Sequence, residues 1–366
     1  MKIKRIIKWS AGIIFLGLVA WLFIAYWTST NDCNRYTTAP NNPMKAIVYC
    51  EYGPLEVLQL KEIEKPTPAD NEVLVRVHAA SLNPADGVYT GRARIVTGLR
   101  KPKSTRFGID YAGTVEAVGK NVTRFKPGDD VFGSKNGAAA EYVCVGEDRG
   151  IALKPSNVSF EQAAAVGVAG VTALQGLRDK GKIQSGQKVL INGASGGVGT
   201  FAVQIAKAFG TDVTGVCSTR NLDLVRSIGA DRVVDYTKED FTNSEQRYDV
   251  IYDLVNNHSF AERRRILSAN GICVMAGIGG SGWHEGILSR LFGELNAYLR
   301  SRFTPQKFLT YLAQINQKDI GVLADLMQAG KVKPVIDKTF KLSETHDAVR
   351  YLETGHARGK VVIAIE

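Results

Sequence analysis

Hydrophobic and polar positions divide this chain into three stretches with different periods. Residues 9–31 carry no charge, and 11–27 read AGIIFLGLVAWLFIAYW. That run approaches the roughly 20 apolar residues needed to cross a bilayer core. Lys2, Lys4, Arg5 and Lys8 precede it, and Trp9, Trp21, Tyr26 and Trp27 place aromatics at both ends. The run is long for the apolar part of a signal peptide, and Thr28-Ser29-Thr30 is a poor cleavage site. The expectation is a retained single-pass anchor over 1–43, with 28–43 as a polar tether.

From residue 44 the period becomes two. Residues 46–50, 73–81, 112–119, 131–132 and 140–145 are β-branched runs separated by Gly and Pro turns. They predict a mainly antiparallel half-barrel. Residues 160–181 read as one helix with Ser159 as N-cap. Strand and helix then alternate. Strands are predicted at 188–191, 213–217, 232–236, 250–254 and 272–277, and helices at 198–209 and 222–228. This is the pattern of a doubly wound parallel sheet, which takes its ligand at the carboxyl ends of the strands. Residues 287–300 put Leu288, Leu291, Phe292, Leu295 and Leu299 on one helical face, either for core packing or as a flap over a cleft. A helix over 344–353 and a strand over 360–365 close the chain.

Composition adds exclusions. Across 366 residues, 45% are hydrophobic and 22% charged, which excludes disorder and coiled coil. The net charge is +10, but residues 1–43 hold five bases against one acid, so the remainder is only mildly basic. No nucleic-acid partner is expected. Between Asp86 and Asp110 stand six bases and no acid: Arg92, Arg94, Arg100, Lys101, Lys103 and Arg106. They read as a solvated loop or as a surface facing anionic headgroups. Cys33, Cys50, Cys144, Cys217 and Cys273 form no Cys-x-x-Cys pair, so neither a disulfide framework nor a zinc ribbon is expected.

One segment carries chemistry outright. In 189–210, a strand runs into Ala194-Ser195-Gly196-Gly197-Val198-Gly199 and a helix leaves. Gly196 lets the backbone approach a pyrophosphate, Gly199 allows close helix–strand packing, and free N–H groups at the helix start face the phosphates. An NAD site wants an acid at the end of the next strand. Here Ser218 and Arg220 stand there, a hydroxyl and a guanidinium suited to a 2′-phosphate, so NADP(H) is the expected cofactor.

The chain resembles the zinc-independent, quinone oxidoreductase-like branch of the medium-chain dehydrogenase/reductase superfamily. The resemblance rests on AASLNPADG (79–87), GIDYAGTVEAVGKNVTRFKPGDDVFG (108–133), GAAAEYV (137–143), GVAGVTALQGL (167–177), INGASGGVGTFAVQIAKAFG (191–210), STRNLDLVRSIGADRVVDY (218–236) and HARGKVVIAIE (356–366). It implies an α/β chain with a GroES-like, mainly-β catalytic lobe (44–165 and 316–366) and a Rossmann lobe (166–315), here preceded by the predicted transmembrane helix. It further implies that Thr172, Tyr236, Val255, Gly277, Ile278 and Lys360 contact the cofactor. Zinc-dependent relatives place Cys at the position of Asn83 and Gly-His-Glu at Gly108-Ile109-Asp110, so no metal is expected. Asn83 and Tyr89 are the implied polarising and proton-donating groups. Gly87-Val88 and Asn256-Asn257 depart from the common pattern and leave the acceptor open.

The resulting expectation is an NADPH-dependent oxidoreductase passing hydride to a quinone or α,β-unsaturated carbonyl. The alternatives are an NADPH-binding scaffold or sensor and an alcohol dehydrogenase. The implied partners are a small lipophilic acceptor, a membrane through the N-terminal helix, and a second copy of the chain. On the membrane side, NADPH supply favours the cytoplasmic face and the basic leader favours the opposite one.

Overall fold

The computed structural model describes residues 21, 23–24, 26–91, 94–276 and 304–365. Trp21 to Trp27, where described, are helical, and Thr28 closes that helix with its N–H and its hydroxyl on the Ile24 carbonyl. Among the described residues no helix is long and apolar enough to cross a membrane. The expected transmembrane helix is therefore unsupported, and the expected membrane localisation is corrected. Residues 1–20, 22 and 25 of the predicted span lie outside the described residues, as does the amphipathic stretch 287–300.

The polar segment is not a loose tether. Cys33 is disulfide-bonded to Cys50, 17 residues on, a cross-link that the expectation of no disulfide framework did not foresee. The pairing depends on the arm folding back, which no local spacing reveals. Asn31 Nδ2 donates to the Cys50 carbonyl (2.8 Å), Thr105 Oγ1 to Asp32 (2.9 Å), and the Ser29 hydroxyl bonds the backbone at Lys101.

Strands β1 (Pro43–Val48) and β2 (Gln59–Glu64) form an antiparallel pair. A larger sheet contains β3 (Glu72–Leu82), β4 (Asp110–Val118), β5 (Asp130–Ser134), β6 (Tyr142–Gly146) and β7 (Ile151–Leu153). Their period-two apolar positions turn Val73, Val75, Val77, Tyr111 and Val131 into one core.

The parallel sheet contains β8 (Lys188–Asn192), β9 (Asp212–Cys217), β10 (Arg232–Asp235), β11 (Tyr248–Asp253), β12 (Leu267–Met275) and β13 (Lys307–Thr310). Its order is β10-β9-β8-β11-β12-β13, every neighbouring pair parallel, so the winding direction switches between β8 and β11. Val189, Leu190 and Ile191 are buried in succession because such a sheet is covered on both faces.

The chain then returns to the first lobe as β14 (Ile336–Lys341) and β15 (Lys360–Ala364). β15 pairs antiparallel with the end of β3, Val361 opposite Leu82. The two chain regions thus build one lobe around a shared sheet.

The helix predicted over 160–181 is broken. Phe160–Ala164 is capped by Ser159 and Gln162, a second helix runs Gly167–Leu174, and a π turn covers Gln175–Lys180. The break lies where the chain meets Asp110. A Cβ on Gly167 would stand 2.3 Å from Asp110 Oδ1, and Val168 N–H donates to both carboxylate oxygens (2.9 and 3.1 Å). A carboxylate at the fresh helix start is stabilised by its free N–H groups.

Candidate active site

The end of β3 delivers Asn83, and Pro84–Thr90 then winds as a 3-10 turn. Asn83 N–H donates to Asp86 Oδ2 (2.6 Å), closing that turn. Asn83 Nδ2 donates to Asp110 Oδ2 (2.8 Å), and Lys360 Nζ on β15 donates to Asn83 Oδ1 (2.6 Å) and to the Leu82 carbonyl (2.9 Å). Lys360 Nζ also lies 3.8 Å from Asp110 Oδ2, and Ser134 Oγ donates to Asp110 Oδ1 (2.6 Å). All four of Asn83, Asp86, Asp110 and Lys360 are buried.

This cluster holds two acids and one base out of water. Burial pushes both carboxyls up and the Lys360 ammonium down, while the attraction between Asp110 and Lys360 opposes both shifts. Every group touching Asp110 is a donor, so Asp110 serves as the ionised acceptor. Asp86 differs: its Oδ1 is buried with no partner among the described residues, and burial raises its pKa to about 7. A buried bare anionic oxygen is costly, so the extra proton resides on Asp86.

Asp86 also lines a cavity of about 250 Å³, together with Tyr49, Ala85, Lys103, Arg106 and Ile109. Tyr89, the expected proton donor, does not line it. One step further around the 3-10 turn, Tyr89 packs edge-on to Phe107 and its hydroxyl donates to Glu353 (3.2 Å). The phenol on the cavity wall is Tyr49. Asn83 lies behind that wall, its carboxamide committed to Lys360 and Asp110 apart from one remaining N–H.

The dinucleotide turn lies between β8 and the helix Gly197–Ala208, with Gly196 as N-cap. A Cβ on Gly199 would stand 2.0 Å from the Gly193 carbonyl, so only glycine fits, whereas Gly196 has no atom nearer than 3.5 Å and leaves an open face. Ala194 is buried beneath the turn, and Ser195, Gly196, Gly197 and Val198 are partly exposed. Asn221 Nδ2 donates to the hydroxyl oxygens of Ser195 (3.0 Å) and Ser218 (3.2 Å), while its buried Oδ1 has no partner among the described residues. Arg220 is exposed, with one Nη donating to the His356 carbonyl (2.7 Å).

Tyr236 follows β10 and is 58% exposed. Val255 N–H and Asn256 N–H both donate to Asp253 Oδ1, and Asn256 takes φ 58°, where Asn is tolerated in place of Gly. The Thr172 hydroxyl donates to Val168 (2.7 Å) within its own helix. Gly277 and Ile278 lie outside the described residues. Gly196 bridges to Gly359, so the turn and the Lys360 cluster are adjacent. An open helix start, an orphaned acceptor on Asn221 and clear glycine faces fit a nicotinamide dinucleotide.

A zinc ion does not fit. Ile109 has no donor atom, and the Asn83 side chain is engaged by Lys360 and Asp110.

Asp86, Tyr49, Arg106 and Asn221 escaped sequence reasoning. Asp86 lay in plain view within Asn83-Pro84-Ala85-Asp86, but its burial follows from contacts to residues far along the chain.

Residues 69–156 match the family described as the alcohol dehydrogenase GroES-like domain, and 228–363 the one described as zinc-binding dehydrogenase. The chain is 36% identical to the 2-methylene-furan-3-one reductase of Solanum lycopersicum, over 87% of this chain and 79% of that protein. It is 35% identical to a chloroplastic NADPH-dependent alkenal/one oxidoreductase of Arabidopsis thaliana, with the same coverage. The solved quinone oxidoreductase from Coxiella burnetii superposes with a TM-score of 0.75 at 31% identity, over 89% of this chain and all of that one.

Proposed function

The chain belongs to the medium-chain dehydrogenase/reductase superfamily, in its quinone/enone oxidoreductase-like branch, and from that premise we propose that it reduces a quinone or an α,β-unsaturated carbonyl with NADPH, without metal. The relatives named above act, by their names, on alkenals, enones or quinones. The observation that carries the reading is the buried Asn83–Asp86–Asp110–Lys360 cluster, set between the dinucleotide turn and the cavity.

NADPH, when bound, supplies a hydride. The Gly196 to Gly199 turn would hold its pyrophosphate, and Thr172, Tyr236 and Val255 its remaining parts. Preference for NADPH over NADH rests on Ser218 and Arg220, with no acid at that strand end. Asn221 aligns the Ser195 and Ser218 hydroxyls along the same edge.

The chain's own residues manage the proton. An enone that accepts a hydride at its β-carbon needs a proton at its α-carbon, and a quinone needs one on oxygen. Burial raises the Asp86 pKa to about 7, so the carboxyl exchanges a proton in the neutral range beside the cavity. Asp110 and Lys360 fix the orientation of the Asn83 carboxamide, which leaves one of its N–H groups without a hydrogen-bond partner among the described residues. Burial of the cluster strengthens both effects.

The test is NADPH oxidation against a panel of quinones and alkenals, repeated with NADH. Turnover with NADPH and weak turnover with NADH are expected. No turnover with either cofactor would remove the reductase reading, and equal use of both would remove the NADPH preference.

A further inference from the structure

Arg106, a cation on the cavity wall, makes no direct ion pair among the described residues, its nearest carboxylate being Asp32 on the N-terminal arm. Arg106 lies on a short extended segment that bridges to Val48 in β1. Its stem runs over Gly137, where a Cβ would stand 2.8 Å from Nε and 2.9 Å from the Arg106 Cβ. Gly137 takes φ +92°, so this passage is kept clear by a residue that few others could replace. The Arg106 guanidinium is thus held along its length and partly buried. Yet it makes no hydrogen bond or ion pair among the described residues.

Its charged neighbours do not supply a partner. Arg35 is of like sign, and Asp32 is already paired with Arg35 at 2.7 Å and accepts from Thr105. Lys103 adds a second cation to the same cavity wall. The one acid among the lining residues is Asp86, whose pKa burial raises to about 7. A half-buried guanidinium without an anion is unfavourable, and its flat fork of donors matches a carboxylate.

No residue of the dinucleotide turn lines this cavity. Every residue lining this cavity lies between 49 and 136, whereas the dinucleotide turn lies at 194–199. The cavity, at about 250 Å³, is also below the roughly 300–1,000 Å³ of drug-sized sites, which favours a short acceptor.

We propose that Arg106, supported by Lys103, selects acceptors in which the conjugated carbonyl or quinone carries a carboxylate a few bonds away. The inference rests on the reductase reading and names the substrate class for the same site. Asp86 delivers the proton, and Arg106, on the wall of the same cavity, anchors the substrate anion. The reaction remains hydride plus proton addition across the conjugated system, with NADPH oxidised and the carboxylate unchanged.

The experiment compares 4-oxopent-2-enoate with its methyl ester, which differ in the negative charge. In the wild-type chain the acid is the better substrate by kcat/KM. In Arg106→Met the acid-to-ester ratio of kcat/KM falls about 10- to 100-fold, the range expected for a lost hydrogen bond to a charged group. Arg106→Lys restores part of it. A second readout needs no turnover: calorimetric binding of 4-oxopentanoate, the saturated product, to the chain saturated with NADP⁺ weakens by a similar factor in Arg106→Met. Thermal melting establishes that the variant folds. An unchanged ratio, or product binding indifferent to Arg106, overturns the proposal. Failure of the reductase reading has a different signature: no acceptor is reduced, neutral quinones included, while 4-oxopentanoate still binds through Arg106.

Discussion

Lys360→Met removes three contacts at once from a buried site. The ammonium donates to the Leu82 carbonyl at 2.9 Å and to Asn83 Oδ1 at 2.6 Å, and lies 3.8 Å from Asp110 Oδ2. Methionine has a similar length and refills most of the space, so the cost is electrostatic. If Asp110 is ionised, the variant strands a buried carboxylate, and loss of one partner from a buried pair costs about 3–5 kcal/mol. If instead the proton had moved from Lys360 to Asp110, only neutral hydrogen bonds would be lost, at about 1–3 kcal/mol for the orphaned acceptors. The double variant Lys360→Met/Asp110→Asn separates these cases. With the ion pair removed as a unit, it should recover most of the single variant's loss, since the introduced carboxamide still accepts from Ser134 and the Val168 N–H. Urea unfolding of the wild type, both singles and the double gives the coupling energy directly. A double variant no more stable than Lys360→Met, or a single within about 1 kcal/mol of wild type, would refute the ionised pair and with it the assignment of the shared proton to Asp86.

The pH response of Asp86 has a definite sign. Its folded pKa of about 7 lies above the usual 3.8, so its contribution is full below about 3.8, is lost between 3.8 and 7, and is absent above 7. Relative to Asp86→Asn, wild-type stability should therefore fall by several kcal/mol as pH rises through that window, and a parallel pair of curves in pH-dependent unfolding would exclude the shift. If Asp86 is the proton store, kcat/KM should also decline as pH rises through about 7, and Asp86→Asn should lack that limb. Arg220→Ala should weaken NADPH by about 1.5–3 kcal/mol and leave NADH nearly unchanged, measured by cofactor titration; equal losses would end the 2′-phosphate reading. Reduction of Cys33–Cys50 opens a loop of 17-residue separation and should cost about 3 kcal/mol, seen as a lower Tm with dithiothreitol in wild type but not in Cys33→Ala/Cys50→Ala.

How far the sequence could be read depended on the range of the interactions involved. The turn at 194–199 was legible because strand, glycines and helix are adjacent, and the structure places Gly199 against the Gly193 carbonyl as the motif requires. Ser159 was legible as a cap because its partner, Gln162, is three residues away. The break after Ala164 was not, since it answers to Asp110, more than fifty residues earlier. The six bases between 86 and 110 looked alike in sequence. Folding assigns Arg94 to the face of Tyr52, Arg100 to the face of Trp27, and Arg106 to the cavity wall, while Arg92 lies outside the described residues. Tyr89 and Tyr49 could be told apart only by the phase of a 3-10 turn and the position of a strand end. The short strand Lys307–Thr310 and the helix Gln317–Gln328 had no motif to announce them.

The antiparallel join between β15 and the end of β3 also orders events during synthesis. Lys360 meets Leu82 across 278 residues of chain. At roughly 5–20 residues per second, a ribosome needs about 15–55 s to cover that distance. For that interval residues 79–82 have an open edge where β15 will pair, and Asp86 and Asp110 have no ammonium beside them. The dinucleotide lobe, by contrast, is made from one continuous run and can close first. A chain released before residue 360 would therefore bring a nucleotide-binding lobe into the cell attached to an unfinished, adhesive half-barrel. Catalytic competence and protection of that edge arrive together, with the translation of β15.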